Sequence, residues 1–272
     1  AYEMCGRDWS SDVCSSDLHN PAYLAFLPTA WKRWLEEGNT GPALPSSWPA
    51  KGLWRDLVPT SATGLLGHYS IDASACFVEG TWAAVKAAHD CALTAAGLVA
   101  GGERAAFALC RPPGHHAGAD FMGGYCFINN AAVAAQSFLE GGANRVAILD
   151  VDYHHGNGTQ QIFYERRDVM VLNLHADPRE EYPYFLGAAE EAGAGAGLGG
   201  VVVLLPRGNR QPVFERGACL RVPAGRQVGE AELEVMVQLT WLERDRPFKV
   251  AHRLGRRGRR QAAVEEDRKS TR

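Results

Sequence analysis

The 272-residue chain lacks three features that would assign it to well-defined classes of protein. It has no apolar run close to the roughly 18 residues that a membrane-spanning helix needs. Its first residues, AYEMCGRDWSSDVCSSDL, lack the apolar core of a signal peptide. Its seven cysteines include no Cys-x-x-Cys pair, and an odd, scattered set fits a reducing compartment better than a disulfide framework. We therefore expect a cytoplasmic protein that does not associate with membranes.

The chain also has little net charge. Its formal net charge of -3 argues against a dedicated nucleic-acid-binding protein. The end of the chain differs, because the residues from Arg244 onward include 11 Lys or Arg and 4 Asp or Glu. A basic tail can bind nucleic acid, but a disordered or non-native end explains the same composition, and we prefer that interpretation. The sequence leaves the oligomeric state open.

Composition divides the chain into three parts. Residues 1–18 are rich in Ser and Asp and show no periodicity, so we interpret them as a non-native or disordered leader. Residues 19–206 carry the periodic and apolar segments of a folded domain, and the 46% hydrophobic content of the chain is enough for a sizeable core. Residues 207–272 have no clear pattern, and we expect a divergent, poorly ordered tail there.

The periodic segments predict an α/β fold. Apolar spacings of three and four predict a helix over 81–102, with Thr81 as an N-cap and Gly101 as a terminator. We also expect a short helix over 30–37 and a helix over 130–140 that two glycines, Gly141 and Gly142, stop. Four continuous apolar runs, at 105–110, 146–151, 169–174 and 201–205, predict strands that are covered on both faces. Together these segments predict a three-layer fold with a mainly parallel sheet flanked by helices. Residues 230–243 are compatible with one further helix.

Polar residues follow the apolar run 146–151, in the stretch ILDVDYHHGNG. Because side chains alternate along a strand, we expect Asp150, Asp152 and His154 to project to one side. Carboxyl ends of strands are where open α/β sheets place ligands, and a divalent metal would offset the repulsion between the two carboxylates. Asp and His ligands without thiolate suit Zn²⁺ or Fe²⁺. The alternative is that the two aspartates cap the next helix, for which Thr159 is another candidate cap.

A second polar cluster lies in RPPGHHAGADFMGGYCFINN, residues 111–130. The adjacent His115 and His116 are simple polar surface in one interpretation. Beside a metal-bound water, however, they form a general acid/base pair, in which one removes the proton of water and the other protonates the leaving group. Each ring then needs an acceptor on its other nitrogen, and Asp150 and Asn157 are the candidates.

At these residues the sequence resembles the histone deacetylase and acetylpolyamine amidohydrolase family, which has the arginase-deacetylase fold. The resemblance covers residues 67–206 and depends on the motifs RPPGHHA, GGYCFINNAA and LDVDYHHGNGTQ. It implies zinc-dependent hydrolysis of an N-acetyl amide, with an acetylated polyamine or the acetyl-lysine of a protein as substrate. Residues 19–206 would then form a partial deacetylase-like domain.

The resemblance also implies a role for each matching residue. It makes His115 and His116 the catalytic pair, Asp150 and Asn157 the residues behind them, and Asp152 and His154 two of three zinc ligands. Gly124 and Tyr125 would form one wall of a substrate tunnel, and Tyr182 would be the facing aromatic residue. A structural K⁺ ion would bind the backbone carbonyls of Asp150, Asp152, His154 and Leu174. Three acidic residues near the mouth (Asp177, Glu180 and Glu181) are candidates for attracting a cationic substrate, and solvated surface explains them equally well.

The chain departs from the family pattern after Pro206. The family supplies a third zinc ligand from a later Gly-Phe-Asp turn and a tyrosine from a later Gly-Gly-Tyr turn. The only aspartates after Pro206 are Asp245 and Asp267, and neither lies in such a turn. No tyrosine follows Tyr184. We therefore expect an incomplete fold and a poor catalyst. An inactive fragment stays an alternative, as does an arginase-type ureohydrolase, against which the order Asp-x-Asp-x-His counts.

Overall fold

The computed structural model describes residues 16–49, 57–188, 190–191 and 193–194, together with the backbone of two strands at 198–204 and 233–238. All of these residues belong to one compact unit, Ala1–Trp241. Most of the proposed leader and tail lies outside the described residues, so the boundaries at 18 and 206 stay predictions. Leu18, at the end of the proposed leader, is buried in the core.

Six α-helices are described. Two short helices, α1 (Pro21–Phe26) and α2 (Ala30–Glu36), are joined by the 3-10 turn Leu27–Thr29 and followed by α3 (Ala62–His68). The long helix α4 (Thr81–Ala100) and the helix α5 (Asn130–Glu140) confirm two of the predicted helices. The last helix is α6 (Asn157–Phe163). Local sequence explains several of the starts: the side chain of Ser61 accepts a hydrogen bond from the amide of Gly64, and that of Asn129 accepts one from the amide of Ala132.

The sheet has four strands, and every pairing in it is parallel. The strands are β1 (Arg145–Asp150), β2 (Val169–His175), β3 (Leu198–Leu204) and β4 (Leu233–Gln238), in the order β3-β2-β1-β4. In the register of β1 and β2, Asp150 lies opposite Asn173. The carboxyl ends of β1 and β2 therefore meet at one edge of the sheet.

The main core lies between one face of this sheet and the helices. Val146 and Ile148 of β1 and Val171 of β2 are fully buried there, together with residues of α4 and α5. Alternate residues of the same strands, Ala147, Met170 and Leu172, form a smaller buried group on the opposite face. Burial on both faces explains why these strands are continuous apolar runs, as predicted.

Some of the predicted elements differ from the structure. Residues 105–110 were predicted as a strand but form none, and the side chains of Phe107 and Leu109 are 60% and 71% exposed. An apolar run forms a strand only where a neighbouring strand supplies hydrogen-bond partners for its backbone. Residues 233–238, predicted as helix, form β4 and pair with β1 along its whole length. The N-cap of α4 is Gly80, and Thr81 instead accepts a hydrogen bond from the amide of Val78. The N-cap of α6 is Gly156, and Thr159 accepts a hydrogen bond from Asn129.

Candidate active site

The chain bends sharply just after β1. The carboxylate of Asp150 accepts a hydrogen bond from the amide of Asp152 at 3.1 Å, and the carboxylate of Asp152 accepts one from the amide of His154 at 2.7 Å. Each aspartate thus holds the backbone two residues ahead of it, as Asp side chains do in turns. Asp150 and Asp152 do not cap α6. They fold the loop so that its polar side chains collect at the end of β1.

Asp152 and His154 are arranged as two ligands of one metal ion would be. Nδ1 of His154 lies 3.2 Å from Oδ1 of Asp152. Two ligand atoms on a tetrahedral zinc, with bonds of about 2.1 Å, lie about 3.4 Å apart, so the pair fits that geometry. Within the described residues, no group of three or more His, Cys, Asp or Glu residues could hold a metal. The assignment of Asp152 and His154 as metal ligands therefore stays a prediction.

His115 is buried and paired with a buried carboxylate. Its Nδ1 lies 2.8 Å from Oδ2 of Asp150. Burial disfavours the charged imidazolium, but the charge and hydrogen bond of Asp150 outweigh burial and raise the pKa of His115. His115 is therefore held by Asp150 and biased toward its protonated form.

His116 is buried beside His115 but has a neutral partner. Its Nδ1 lies 2.7 Å from Oδ1 of Asn157, and the centroids of the two imidazole rings are 3.9 Å apart. Burial and the neighbouring His115 lower the pKa of His116 to about 2. Because the amide oxygen of Asn157 only accepts hydrogen bonds, the proton of neutral His116 is on Nδ1 and its Nε2 has a free lone pair.

The backbone of Gly156, just before α6, passes close to the His115–Asp150 pair. A Cβ atom on Gly156 would lie 2.3 Å from Oδ2 of Asp150 and 3.3 Å from Nδ1 of His115. Glycine is thus required for α6 to begin where it does. The first amides of α6, those of Gly158 and Thr159, donate to the carbonyl of His115 at 3.0 and 3.1 Å. These bonds join the histidine segment to the helix that carries Asn157.

Two segments lie against His116 from different sides. The loop at Gly124 and Tyr125 has positive φ angles of 50° and 65°, and a Cβ atom on Gly124 would lie 2.1 Å from Cδ2 of His116. The ring of Tyr182 meets that of His116 edge-on, with centroids 4.8 Å apart, and lies 5.9 Å from that of His154. The two proposed tunnel walls are therefore both next to the proposed catalytic pair.

Sequence reasoning missed two residues that support this site. The carboxylate of Asp72 accepts hydrogen bonds from the amide of Gly124 and from the phenol of Tyr182. His19 is buried, with Nδ1 2.8 Å from the carbonyl of Gly118 and Nε2 3.2 Å from the amide of Asn129. Both sets of contacts join distant parts of the chain. Only the isolated Asp-x-Ser turn signal at Asp72 was visible in the sequence.

A comparison with protein-family models places this geometry in a known context. Residues 12–216, more than half of the chain, match the model of the histone deacetylase domain. The chain belongs to the histone deacetylase family. Membership of this family confirms the predicted arginase-deacetylase fold, which is a mainly parallel sheet flanked by helices. It also confirms the predicted relationship to deacetylases.

Three of the similar proteins within the family come from bacteria. The chain is 59% identical over 183 residues to acetylpolyamine amidohydrolase 1 of Pseudomonas aeruginosa, covering 67% of this chain and 53% of that protein. It is 51% identical over 203 residues to the acetylpolyamine amidohydrolase of Mycoplana ramosa, covering 75% of this chain and 59% of that protein. A crystal structure of the Burkholderia pseudomallei acetylpolyamine aminohydrolase matches with a TM-score of 0.67 and 38% identity, over 76% of this chain and 61% of that one. The chain thus spans somewhat more than half the length of the relatives it matches.

Proposed function

We propose that this chain carries the catalytic centre of a metal-dependent amidohydrolase that removes acetyl groups from acetylated amines. One observation supports this most strongly: the pairs His115–Asp150 and His116–Asn157 are buried next to the Asp152–His154 pair. Two differently tuned imidazoles beside two side chains of the metal-ligand type supply part of what hydrolysis of an unactivated amide requires. The alternative of an inactive fragment stays open to the experiments below.

We propose Zn²⁺ as the metal, with Fe²⁺ as the alternative, held by Asp152 and His154. Carboxylate and imidazole without thiolate suit both ions. When bound, such an ion polarises an acetyl carbonyl and lowers the pKa of water. A structural K⁺ ion at the carbonyls of Asp150, Asp152, His154 and Leu174 is a further proposal. It is supported by the bend after β1 and by the pairing of Asp150 with Asn173, next to Leu174, on the adjacent strand.

The two histidines have separate roles in the proposed reaction. Neutral His116 accepts a proton from the attacking water at Nε2, while its Nδ1–H stays bonded to Asn157. Water oxygen bonds to the acetyl carbon, the C–N bond breaks, and the proton from His116 goes to the departing amine. Protonated His115, held by Asp150, stabilises the negative charge that develops on the acetyl oxygen and on the oxygen of the attacking water. The proton that remains on the acetic acid then passes to the amine, so the products are acetate and the protonated amine.

The walls around His116 favour a linear substrate. Tyr182 and Gly124 both contact His116, and we propose that they and Tyr125 line a passage suited to an aminoalkyl chain. This is consistent with acetylated polyamines, which the names of similar proteins specify, and with acetyl-lysine in a protein. Attraction of cations by Asp177 is weakened by its ion pair with Arg179, whose Nε lies 2.9 Å away. Glu181, which accepts a hydrogen bond from Tyr153, is the better placed acid.

The proposal is tested with acetylputrescine and arginine as substrates, supplied to the purified chain with added zinc. We expect acetate release from acetylputrescine that a chelator stops, and loss of at least about 10²-fold in rate in His116→Ala, as for removal of a general acid/base. Glu103→Gln, an exposed residue outside the site, is the control. Urea release from arginine would favour a ureohydrolase, and no acetate release above the His116→Ala background would contradict the proposal.

We also propose that the protein acts in the cytoplasm. Its four described cysteines outside the leader and tail are all free (Cys76, Cys91, Cys110 and Cys126), which is consistent with a reducing compartment. Among the described residues, no helix is long and apolar enough to cross a membrane.

A further inference from the structure

Asp72 joins three segments that are far apart in the sequence. It lies in the loop after α3, 52 residues before Gly124 and 110 residues before Tyr182. One oxygen, Oδ2, accepts hydrogen bonds from both the amide of Gly124, at 2.9 Å, and the phenol of Tyr182. Both residues that it holds, Gly124 and Tyr182, also contact His116.

The other oxygen of Asp72 fixes the carboxylate itself. Oδ1 accepts hydrogen bonds from the amide and the hydroxyl of Ser74, at 2.7 and 2.6 Å. The hydroxyl of Ser74 lies 3.3 Å from the amide of Tyr125, which extends the contact to the neighbouring wall residue. With both oxygens occupied, the half-buried carboxylate has little freedom to turn. Hydrogen bonds to an ionised acceptor are also stronger than those between neutral groups.

The loop at Gly124 needs such support because the next residue, Tyr125, has a positive φ of 65°, which is costly for a residue other than glycine. Gly124 itself adopts its φ of 50° freely, but its backbone rests on the His116 ring. Tyr182 has a similar requirement, because its ring touches His116 only edge-on. Loss of the Asp72 carboxylate would therefore release both Gly124 and Tyr182.

We propose that Asp72 is a positioning residue that fixes the width of the substrate passage by holding Gly124 and Tyr182 from one carboxylate. It does not touch the reacting atoms. Its effect on substrates is a preference for the small acetyl group, because a passage of fixed width excludes larger acyl groups. The part of this proposal that concerns substrates rests on the proposed amidohydrolase function, whereas the positional part does not.

The positional part is tested by hydrogen–deuterium exchange on the purified chain. Asp72→Asn keeps the size of the side chain but leaves one acceptor oxygen, which cannot serve both the two bonds at Oδ2 and the two bonds from Ser74 at Oδ1. We expect exchange of the Gly124 amide to speed up at least about tenfold, the factor that corresponds to a net loss of one hydrogen bond to a charged group. Tyr182→Phe removes only the phenol bond, so Gly124 should stay protected. Asp168→Asn, which removes a half-buried aspartate bonded to Arg166 outside the site, is the matched control.

The substrate part is tested by kcat and KM for linear amines that carry either an acetyl or a bulkier butanoyl group. In Asp72→Asn we expect the ratio of kcat/KM for acetyl over butanoyl to fall about tenfold, with Tyr182→Phe intermediate and Asp168→Asn unchanged. Wild-type exchange at Gly124 in Asp72→Asn would overturn the proposal, as would an unchanged acyl preference in an active enzyme. If the wild-type chain hydrolyses neither amine, the proposed function fails, and the exchange experiment still decides the role of Asp72.

Discussion

The imidazole of His116 donates from Nδ1 to the amide oxygen of Asn157 at 2.7 Å, and this contact determines which nitrogen faces the reaction. Asn157→Ala should remove the acceptor, allow the other tautomer and lower kcat about 10–100-fold, as loss of a residue that orients an active-site histidine does. Asn157→Asp retains an acceptor oxygen and is the matched control, for which we expect a smaller loss. The measurement is kcat for acetylputrescine together with ¹⁵N shifts of His116. Unchanged kcat in Asn157→Ala would show that the contact is not needed.

The stability of the protein should fall in acid because His19 is buried in its neutral form. Nδ1–H of His19 donates to the carbonyl of Gly118, and Nε2 accepts from the amide of Asn129. The ring therefore has no free nitrogen that could take up a second proton. Burial lowers the pKa of His19 from 6.5 to about 4. Between these values the unfolded chain binds more protons than the folded one. The free energy of unfolding should therefore decrease as the pH falls from 6.5 to 4, by up to about 1.4 kcal/mol per pH unit from this residue.

The His19 contribution can be isolated by substitution. His19→Asn keeps a donor toward Gly118 but does not titrate, so denaturant unfolding from pH 7 to pH 4 should show a shallower dependence on pH. Thr40→Ser, an exposed position without a titratable group, is the control and should keep the wild-type slope. If all three proteins show the same slope, His19 does not take up the proton on unfolding.

Gly124→Ala should damage the site through both strain and collision. The left-handed backbone costs an alanine about 1–2 kcal/mol, and the new Cβ would lie 2.1 Å from the His116 ring, a further steric cost of about 1–3 kcal/mol. Gly142→Ala is the matched control, because φ is 100° there but no atom lies within 4 Å of the added Cβ. Thermal unfolding should show a larger loss for Gly124→Ala. Equal losses in the two variants would mean that the loop does not press on His116.

Local patterns were sufficient to predict the buried framework. The helices α4 and α5 and the strands β1 and β2 follow directly from apolar periodicity, and the paired histidines and the Asp-x-Asp-x-His order identify the residues now found together at the end of β1. These features depend on neighbours in sequence, which a single chain displays.

Several features that depend on distant partners were not predicted, although the partners of His115 and His116, 35 and 41 residues away, were. The run 105–110 has the composition of a strand but forms none, whereas 233–238 pairs with β1 in spite of a helix-like pattern. The role of Asp72 depends on contacts 52 and 110 residues away, and that of His19 on contacts with Gly118 and Asn129. Such partners are set by the tertiary fold, so no local spacing indicates them.

Zinc content per chain tests the central claim most directly, that the end of β1 is a metal-dependent hydrolytic centre. The chain and three variants are dialysed against the same low concentration of zinc and analysed by mass spectrometry. Asp152→Ala and His154→Ala each remove one of the two ligands, and should lose bound zinc. His115→Ala removes a residue bonded to Asp150 but no ligand, and should keep nearly the wild-type amount. Equal zinc content in all four proteins would contradict the assignment of Asp152 and His154, and with it the proposed site.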